Sequence, residues 1–391
     1  MKKYNILIVG LKCFSGHIRE FIVNLKKKNP EAAITLFTTD KTILSLDGMA
    51  KSVDRIEVLK STGVKLPVIT TIINRLYLYK SLLSLHFGHR FDIVDIHFPK
   101  GFVIHAMPLL RRMTRNIVIT PWGSDVMRVE DEKNVRYLTR IYSQAKHVTV
   151  SKDSPTGKAI MSKFSVVAEK MVELKWGGEF FDYIQEHSSE ITTEEAKARF
   201  GLEGRYVITC GYNTQQAQRH EDIMEAIGRI KNQLPDNLTL LIPCTYTSYN
   251  NLSEQKRHYV ESLEEKGKSL ALDVKVVREH LELNDLLKLR MATDIFVHVQ
   301  LSDAGARSVM EYVFCNKKLV HGAWNKYKYL EDYKPSCYFP IEKMEELDAA
   351  IVKASKAQVG ELPQEVKKII LERGWNHKMT QWNEFFESLI S

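Results

Sequence analysis

Asp294 to His321 reads DIFVHVQLSDAGARSVMEYVFCNKKLVH. The apolar run Asp294 to Val299 has the length and bounding residues of a buried strand, Arg307 to Phe314 reads as a helix, and Lys318 to His321 returns to a short strand. Two strands joined by a helical crossover lie parallel, so this one stretch already argues for an α/β protein with a wound sheet.

The same alternation extends outward. Tyr206 to Cys210, Leu238 to Pro243 and Asp273 to Val277 read as strands, with helices over Glu221 to Asn232, Ser253 to Lys268 and Asn284 to Met291. Upstream of a polar, acidic stretch, Gln185 to Arg199, the pattern runs a first time. Strands are expected at Asn5 to Gly10, Ala33 to Thr38, Asp92 to His97, Asn116 to Thr120 and Lys146 to Ser151, with a helix over His17 to Lys28. Two Rossmann-like domains follow, residues 1–182 and 183–373. An aromatic-rich amphipathic helix, 374–391, closes the chain, and its Trp375, Met379, Trp382, Phe385, Phe386 and Leu389 need a surface to bury against.

The composition excludes several classes. At 391 residues, 44% hydrophobic and 27% charged, with 11 Pro and 19 Gly, the chain is neither disordered nor collagenous. Five scattered cysteines, Cys13, Cys210, Cys244, Cys315 and Cys337, form no CxxC pair and point to neither a disulfide framework nor a zinc site. The longest apolar candidate, Val68 to Phe87, is interrupted by Arg75 and Lys80, which argues against a membrane span. The opening MKKYNILIVGLKCF reads as a strand and a glycine-bearing loop, not a secretion signal, so a cytoplasmic protein is expected.

Charge is unevenly placed. Up to Asp182 the chain has 29 Lys and Arg against 17 Asp and Glu; after it, 27 against 31. A basic first half points to an anionic surface or a phosphate-bearing molecule as partner. With no RNP, zinc-finger or basic-zipper pattern, nucleic acid is not expected, and an anionic membrane leaflet or a lipid phosphate fits at least as well. Arg111, Arg112 and Arg115, beside Met107 to Leu110, and Lys26, Lys27 and Lys28 supply basic groups interleaved with apolar ones.

Ser302 to Val320, SDAGARSVMEYVFCNKKLV, resembles the donor motif of family-four glycosyltransferases of the GT-B fold, an acidic residue and a second one eight positions on. The resemblance implies two Rossmann-like domains facing a cleft, with the last helix packing back on the first domain. It implies that Glu311 binds the nucleotide's ribose and that Asp303, standing where Glu is usual, faces the donor sugar as a catalytic-site residue. Independently, Ala304, Gly305 and Ala306 are small enough for backbone N–H groups to approach a phosphate at a helix N-terminus, and Arg307 offers a guanidinium fork. The alternative is that Asp303 merely caps that helix, for which Asp is well suited.

Gly211 to Ile227, GYNTQQAQRHEDIMEAI, stands where the family shows a basic pair, leaving Arg219 as the nearest cation and His220 at the helix start as a phosphate contact. With Pro243, Tyr246 and Asn250, this string is similar to bacterial fucosaminyltransferases. In the first domain, the loop Cys13 to His17 with Gly16 resembles the family's acceptor-side loop. TPWGSDV, Thr120 to Val126, resembles its His-Gly-Ser-Asp form, with Trp122 in place of His. Trp122 would stack on a sugar, Asp125 would bind acceptor hydroxyls or act as general base, and His97 would stand near the acceptor; turn formation by Asp125 and a structural role for His97 stay open.

No Asp-x-Asp pair occurs, so the expectation is a hexosyltransferase-like enzyme that needs no metal or other cofactor. It would move sugar from a nucleotide-sugar donor to a glycan or polyprenyl-diphosphate-linked acceptor in bacterial surface polysaccharide synthesis, at the inner face of the cell membrane. Family-four likeness implies retention of anomeric configuration, fucosaminyltransferase likeness inversion; the acidic pair tips the reading to retention. The rivals are a nucleotide-sugar epimerase and an inactive sugar- or lipid-binding subunit. A nicotinamide dehydrogenase is disfavoured because no GxGxxG follows either opening strand.

Overall fold

The computed structural model describes the whole chain except residues 12–14, 47, 61–66, 89, 245–251, 302, 304 and 391. The expectations on Cys13, Tyr246, Asn250 and Ala304 therefore fall outside the described residues.

The chain forms two compact units, Met1–Glu179 with Arg373–Ser391, and Phe180–Glu372. The first holds β1 (Asn5–Gly10), β2 (Ala33–Thr38), β3 (Arg55–Val58), β4 (Ile93–His97), β5 (Ile117–Thr120) and β6 (His147–Val148) in the order β3-β2-β1-β4-β5-β6. The second holds β7 (Tyr206–Cys210), β8 (Leu238–Pro243), β9 (Val274–Val277), β10 (Ile295–His298), β11 (Lys318–Gly322) and β12 (Tyr338–Ile341) in the order β12-β11-β10-β7-β8-β9. All pairings between these strands are parallel. Both orders are the doubly wound Rossmann order, in which the winding reverses between the first and fourth strands of each sheet. That places the switch points at β1/β4 and β7/β10.

Each sheet is buried on both faces. In β1, Ile6 and Ile8 enter one apolar cluster while Leu7 and Val9 enter another, as alternation of side chains along a strand requires. In the second unit Ile208, Leu240, Ile242 and Val297 pack on one face, with Val207 and Leu241 or Phe296 and Leu319 on the other.

The final helix, Trp375–Leu389, completes the first unit. Trp375, Met379, Trp382 and Phe386 are buried in the cluster built on Tyr4, Ile6 and Phe21. The Phe21 ring lies 5.0 Å from Trp382 and 5.9 Å from Trp375. Asn383 Oδ1 accepts from Tyr4 Oη and from Asn29 Nδ2, both at 3.0 Å, so the helix is keyed by hydrogen bonds as well as by packing.

Candidate functional site

At the switch point of the second sheet, the loop leaving β10 leads through Asp303 to the helix Arg307–Phe314. Asp303 Oδ1 accepts from the Gly305 N–H at 3.0 Å, and Oδ2 from the Ala306 N–H at 3.1 Å and from the Tyr327 hydroxyl. His298 Nε2 stands 3.2 Å from the same oxygen. Burial raises the Asp303 pKa, but His298 and these donors outweigh it and hold the carboxyl below its ordinary value. These contacts fix the loop at the start of the helix, which is the helix-capping role that the sequence also offers Asp303. The Gly305 and Ala306 amides, expected to approach a phosphate, both donate to Asp303. Arg307, expected to meet the diphosphate, is the first residue of this helix.

Behind Asp303 lies a layer not seen in the sequence. His298 and His321 are register partners on β10 and β11, their rings stacked with centroids 5.2 Å apart. Burial lowers the His321 pKa to about 4, so it is neutral. Its Nε2–H donates to the Asn325 carbonyl at 2.8 Å, which leaves Nδ1 as acceptor for His298 Nδ1–H at 3.2 Å.

Glu311 lies 5% exposed on the same helix. Arg290, from the helix Leu283–Ala292, donates from Nε at 3.0 Å and Nη2 at 2.8 Å to Glu311 Oε2 alone, and from Nη1 to the Tyr312 hydroxyl at 2.9 Å. Burial works against the Arg290 charge, but Tyr312 and Glu311 outweigh it and hold the guanidinium charged. Glu311 Oε1 accepts nothing from the described residues.

The loop after β7 is built on Gly211, whose φ of +63° a side chain resists. A Cβ there would meet Gln218 Oε1 at 2.8 Å and His220 Nε2 at 3.0 Å. His220 is fully buried, its Nδ1 is 3.1 Å from the Tyr259 hydroxyl, and burial lowers its pKa to about 4. The expected contact of His220 with phosphate is corrected: a neutral, enclosed imidazole supports the glycine turn from beneath. Arg219, the residue just before the helix His220–Ile230, is held by Asp222 of that helix at 2.7 Å. Gln218 Nε2 donates to Gln300 Oε1, and the Gln300 carbonyl accepts from Trp324 Nε1 at 2.8 Å and Asn325 Nδ2 at 2.7 Å, which ties the loops after β7, β10 and β11 together.

In the first unit, His97 ends β4 at its switch point, with Nε2 2.9 Å from Asp95 Oδ2; Thr120 Oγ1 donates to Asp95 Oδ1 at 2.7 Å. Asp95 was missed in the sequence, although residues two apart on a strand share a face and DIVDIH has that spacing. The next residue, Phe98, holds φ +49°, a strained conformation for a side chain of that size. Trp122 packs edge-on to His17 at 5.3 Å and His97 at 6.3 Å, and is tilted against Trp176 at 5.5 Å. It keeps only part of its surface open, so the ring is first a member of this aromatic cluster.

Asp125, 1% exposed, accepts the Trp122 N–H on Oδ1 at 2.9 Å, while Oδ2 has no hydrogen-bond partner among the described residues. Burial pushes its pKa up to about 6, against the opposing pull of these hydrogen bonds and of Lys100. Gly16 lies in the first turn of the helix Ser15–Lys28, which corrects the expectation of a loop there.

No family model and no curated protein matches the chain. Solved structures do. A glycosyltransferase from Rickettsia africae aligns over 100% of both chains at 14% identity with a TM-score of 0.75. HepE from Anabaena, solved in complex with UDP and glucose, aligns over 98% of this chain and 100% of its own at 15% identity and TM-score 0.69. The UDP-GlcNAc 2-epimerase of Neisseria meningitidis, bound to UDP-GlcNAc, aligns over 97% of this chain and 98% of its own at 11% identity and TM-score 0.58. Likeness at these identities is likeness of fold, and the fold is that of the GT-B glycosyltransferases.

Proposed function

We propose that the protein transfers a sugar from a nucleotide-sugar donor to a glycan or polyprenyl-diphosphate-linked acceptor in bacterial surface polysaccharide synthesis, without a metal ion. The observation that carries this reading is Glu311. One carboxylate oxygen is clamped by Arg290 and the other accepts nothing from the described residues, on the helix that follows the switch-point strand of a Rossmann sheet. A rigid, aimed acceptor suits paired ribose hydroxyls, and neighbours of the same fold include one solved with UDP and glucose. Arg307 and the N–H groups at the start of its helix would meet the charge that develops on the departing diphosphate.

Retention of configuration is the first expectation from the acidic pair, but Asp303 is occupied, and Asp125 favours a second reading. A carboxyl with a pKa of about 6 is mostly ionised at neutral pH yet basic enough to take an acceptor's proton, as inversion requires.

Calorimetry with UDP-, GDP- and TDP-sugars, with and without a divalent metal, tests the donor site. Glu311→Ala and Arg307→Ala should each weaken nucleotide binding about tenfold or more, as loss of a charged hydrogen bond does, in folded protein. Unchanged affinity in both removes the assignment. NMR of the anomeric proton of a transferred sugar separates retention from inversion, and interconversion of donor epimers without an acceptor would favour the epimerase instead.

A further inference from the structure

Of the large apolar side chains that stand exposed, most belong to one helix, Pro67–Gly88. Ile69, Ile72, Leu76, Tyr79, Leu83 and Phe87 are 45%, 54%, 62%, 37%, 40% and 82% exposed. Their spacings of three and four residues place them on one stripe of a helix with 3.6 residues per turn. Leu78, Leu82 and Leu85 form a second stripe on the far side, and these are the residues that bury into the first unit's core. The helix thus has two apolar faces and fills only one.

We propose that the open face is a docking surface for an anionic lipid bilayer, on which the helix lies flat. Charge supports this occupant. Arg75 and Lys80 flank the open stripe on either side, where long cationic side chains reach headgroups while their stems cover apolar surface. The helix packs against Met107–Met113, which brings the exposed Arg111 and Arg112 alongside it. No acidic residue occurs between Glu57 and Asp92 or between Asp95 and Asp125. A second copy of this chain docked face to face would set like charges against one another, whereas an anionic leaflet meets the same cations with opposite sign. The helix is about 33 Å long at 1.5 Å per residue, yet no described helix is long and apolar enough to cross a membrane. With one face committed to the core, it rests on the surface. The proposal deepens the lipid-linked acceptor reading by assigning the surface, but its test needs no donor and no turnover. The two can therefore fail separately.

The experiment is co-sedimentation of the full chain with vesicles of phosphatidylcholine alone and of phosphatidylcholine mixed with phosphatidylglycerol, at low and high salt. The wild type should partition to the anionic vesicles, less so at high salt. Leu76→Asp with Phe87→Asp, and separately Arg75→Glu with Lys80→Glu, should each lower partitioning about tenfold or more. Leu301→Asp, at an exposed apolar residue of the second unit, should leave it unchanged. Circular dichroism verifies folding, and because every altered side chain is exposed, at least one pair should fold. Absence of binding to anionic vesicles overturns the proposal, as does equal binding by both variant pairs. Light scattering without vesicles gives a further route: a dimer that Leu76→Asp with Phe87→Asp splits would make the stripe a self-association surface and overturn the lipid assignment.

Discussion

Arg290 and Glu311 form a buried ion pair in which two guanidinium nitrogens, at 3.0 and 2.8 Å, converge on a single carboxylate oxygen. The clamp fixes the rotamer of the acid while leaving its second oxygen open, and it does so inside the protein, where an unmatched charge is expensive. Removing Arg290 should therefore harm the fold as well as the ligand. Arg290→Met is expected to lower stability by about 3–5 kcal/mol, the usual penalty for orphaning a buried charge, and Glu311→Gln by less, because the amide stays hydrogen-bonded. Urea denaturation of the two variants tests the order; a harmless Arg290→Met would mean that the clamp is dispensable.

Asp125 carries a pH signature. Its folded-state pKa, about 6, lies above the ordinary 3.8, so the folded protein holds this proton more tightly than the unfolded chain does. The resulting stabilisation is present at low pH, fades as pH rises through about 4 to about 6, and above that the ionised carboxylate is a constant burden. Asp125→Asn should stabilise the protein at neutral pH by about 3 kcal/mol, from a shift of roughly two units at 1.36 kcal/mol each, with the gain vanishing toward pH 4. Melting curves of both proteins across that range would show a pH-independent difference if the carboxylate were not penalised. Should Asp125 also be the base, the stabler variant loses transfer.

Gly211→Ala should destabilise the second unit by about 1–3 kcal/mol, since it places a Cβ at φ +63° and within 3.0 Å of Gln218 and His220. The expected companion is a weaker nucleotide site, because the same turn organises the loops after β7 and β10. A thermal melt no different from wild type would show that Gln218 can move aside.

Truncation after Arg373 removes four buried apolar side chains, Trp375, Met379, Trp382 and Phe386. At about 1.5–3 kcal/mol for each buried apolar side chain, the loss matches the whole stability of an ordinary domain, about 5–15 kcal/mol. The truncated chain should lose the first unit's cooperative melt, and calorimetry that still finds it would contradict the packing.

The sheets were legible because buried parallel strands announce themselves as apolar runs, and NILIVG, AITLFT and LTLLIP coincide with β1, β2 and β8. Two of the four edge strands, β3 and β12, escaped. Arg55–Val58 alternates charge with apolar residues as a half-covered edge does, and Tyr338–Ile341 contains Pro340, which an edge tolerates and which hides a strand from pattern reading. In the site, the acidic motif was legible but the duties of its members were not. Whether Asp303 faces a ligand or caps its own loop depends on Tyr327 and His298, and those partners are set by strand register and by a loop more than twenty residues away. Arg290 was invisible for the same reason: nothing local says that an arginine in one helix ends against a glutamate in another.

The return of the last helix has a consequence for how the molecule is made. The second unit is one uninterrupted stretch, Phe180–Glu372, whereas the first is completed only by Arg373–Ser391. A nascent chain therefore offers a complete second unit to fold while the first still lacks Trp375, Trp382 and Phe386. During synthesis the usual order, N-terminal domain first, is reversed for final consolidation. Until that last segment is made and free to fold, Tyr4, Ile6 and Phe21 wait with an uncovered face, and the aromatic helix acts as the closing step of assembly.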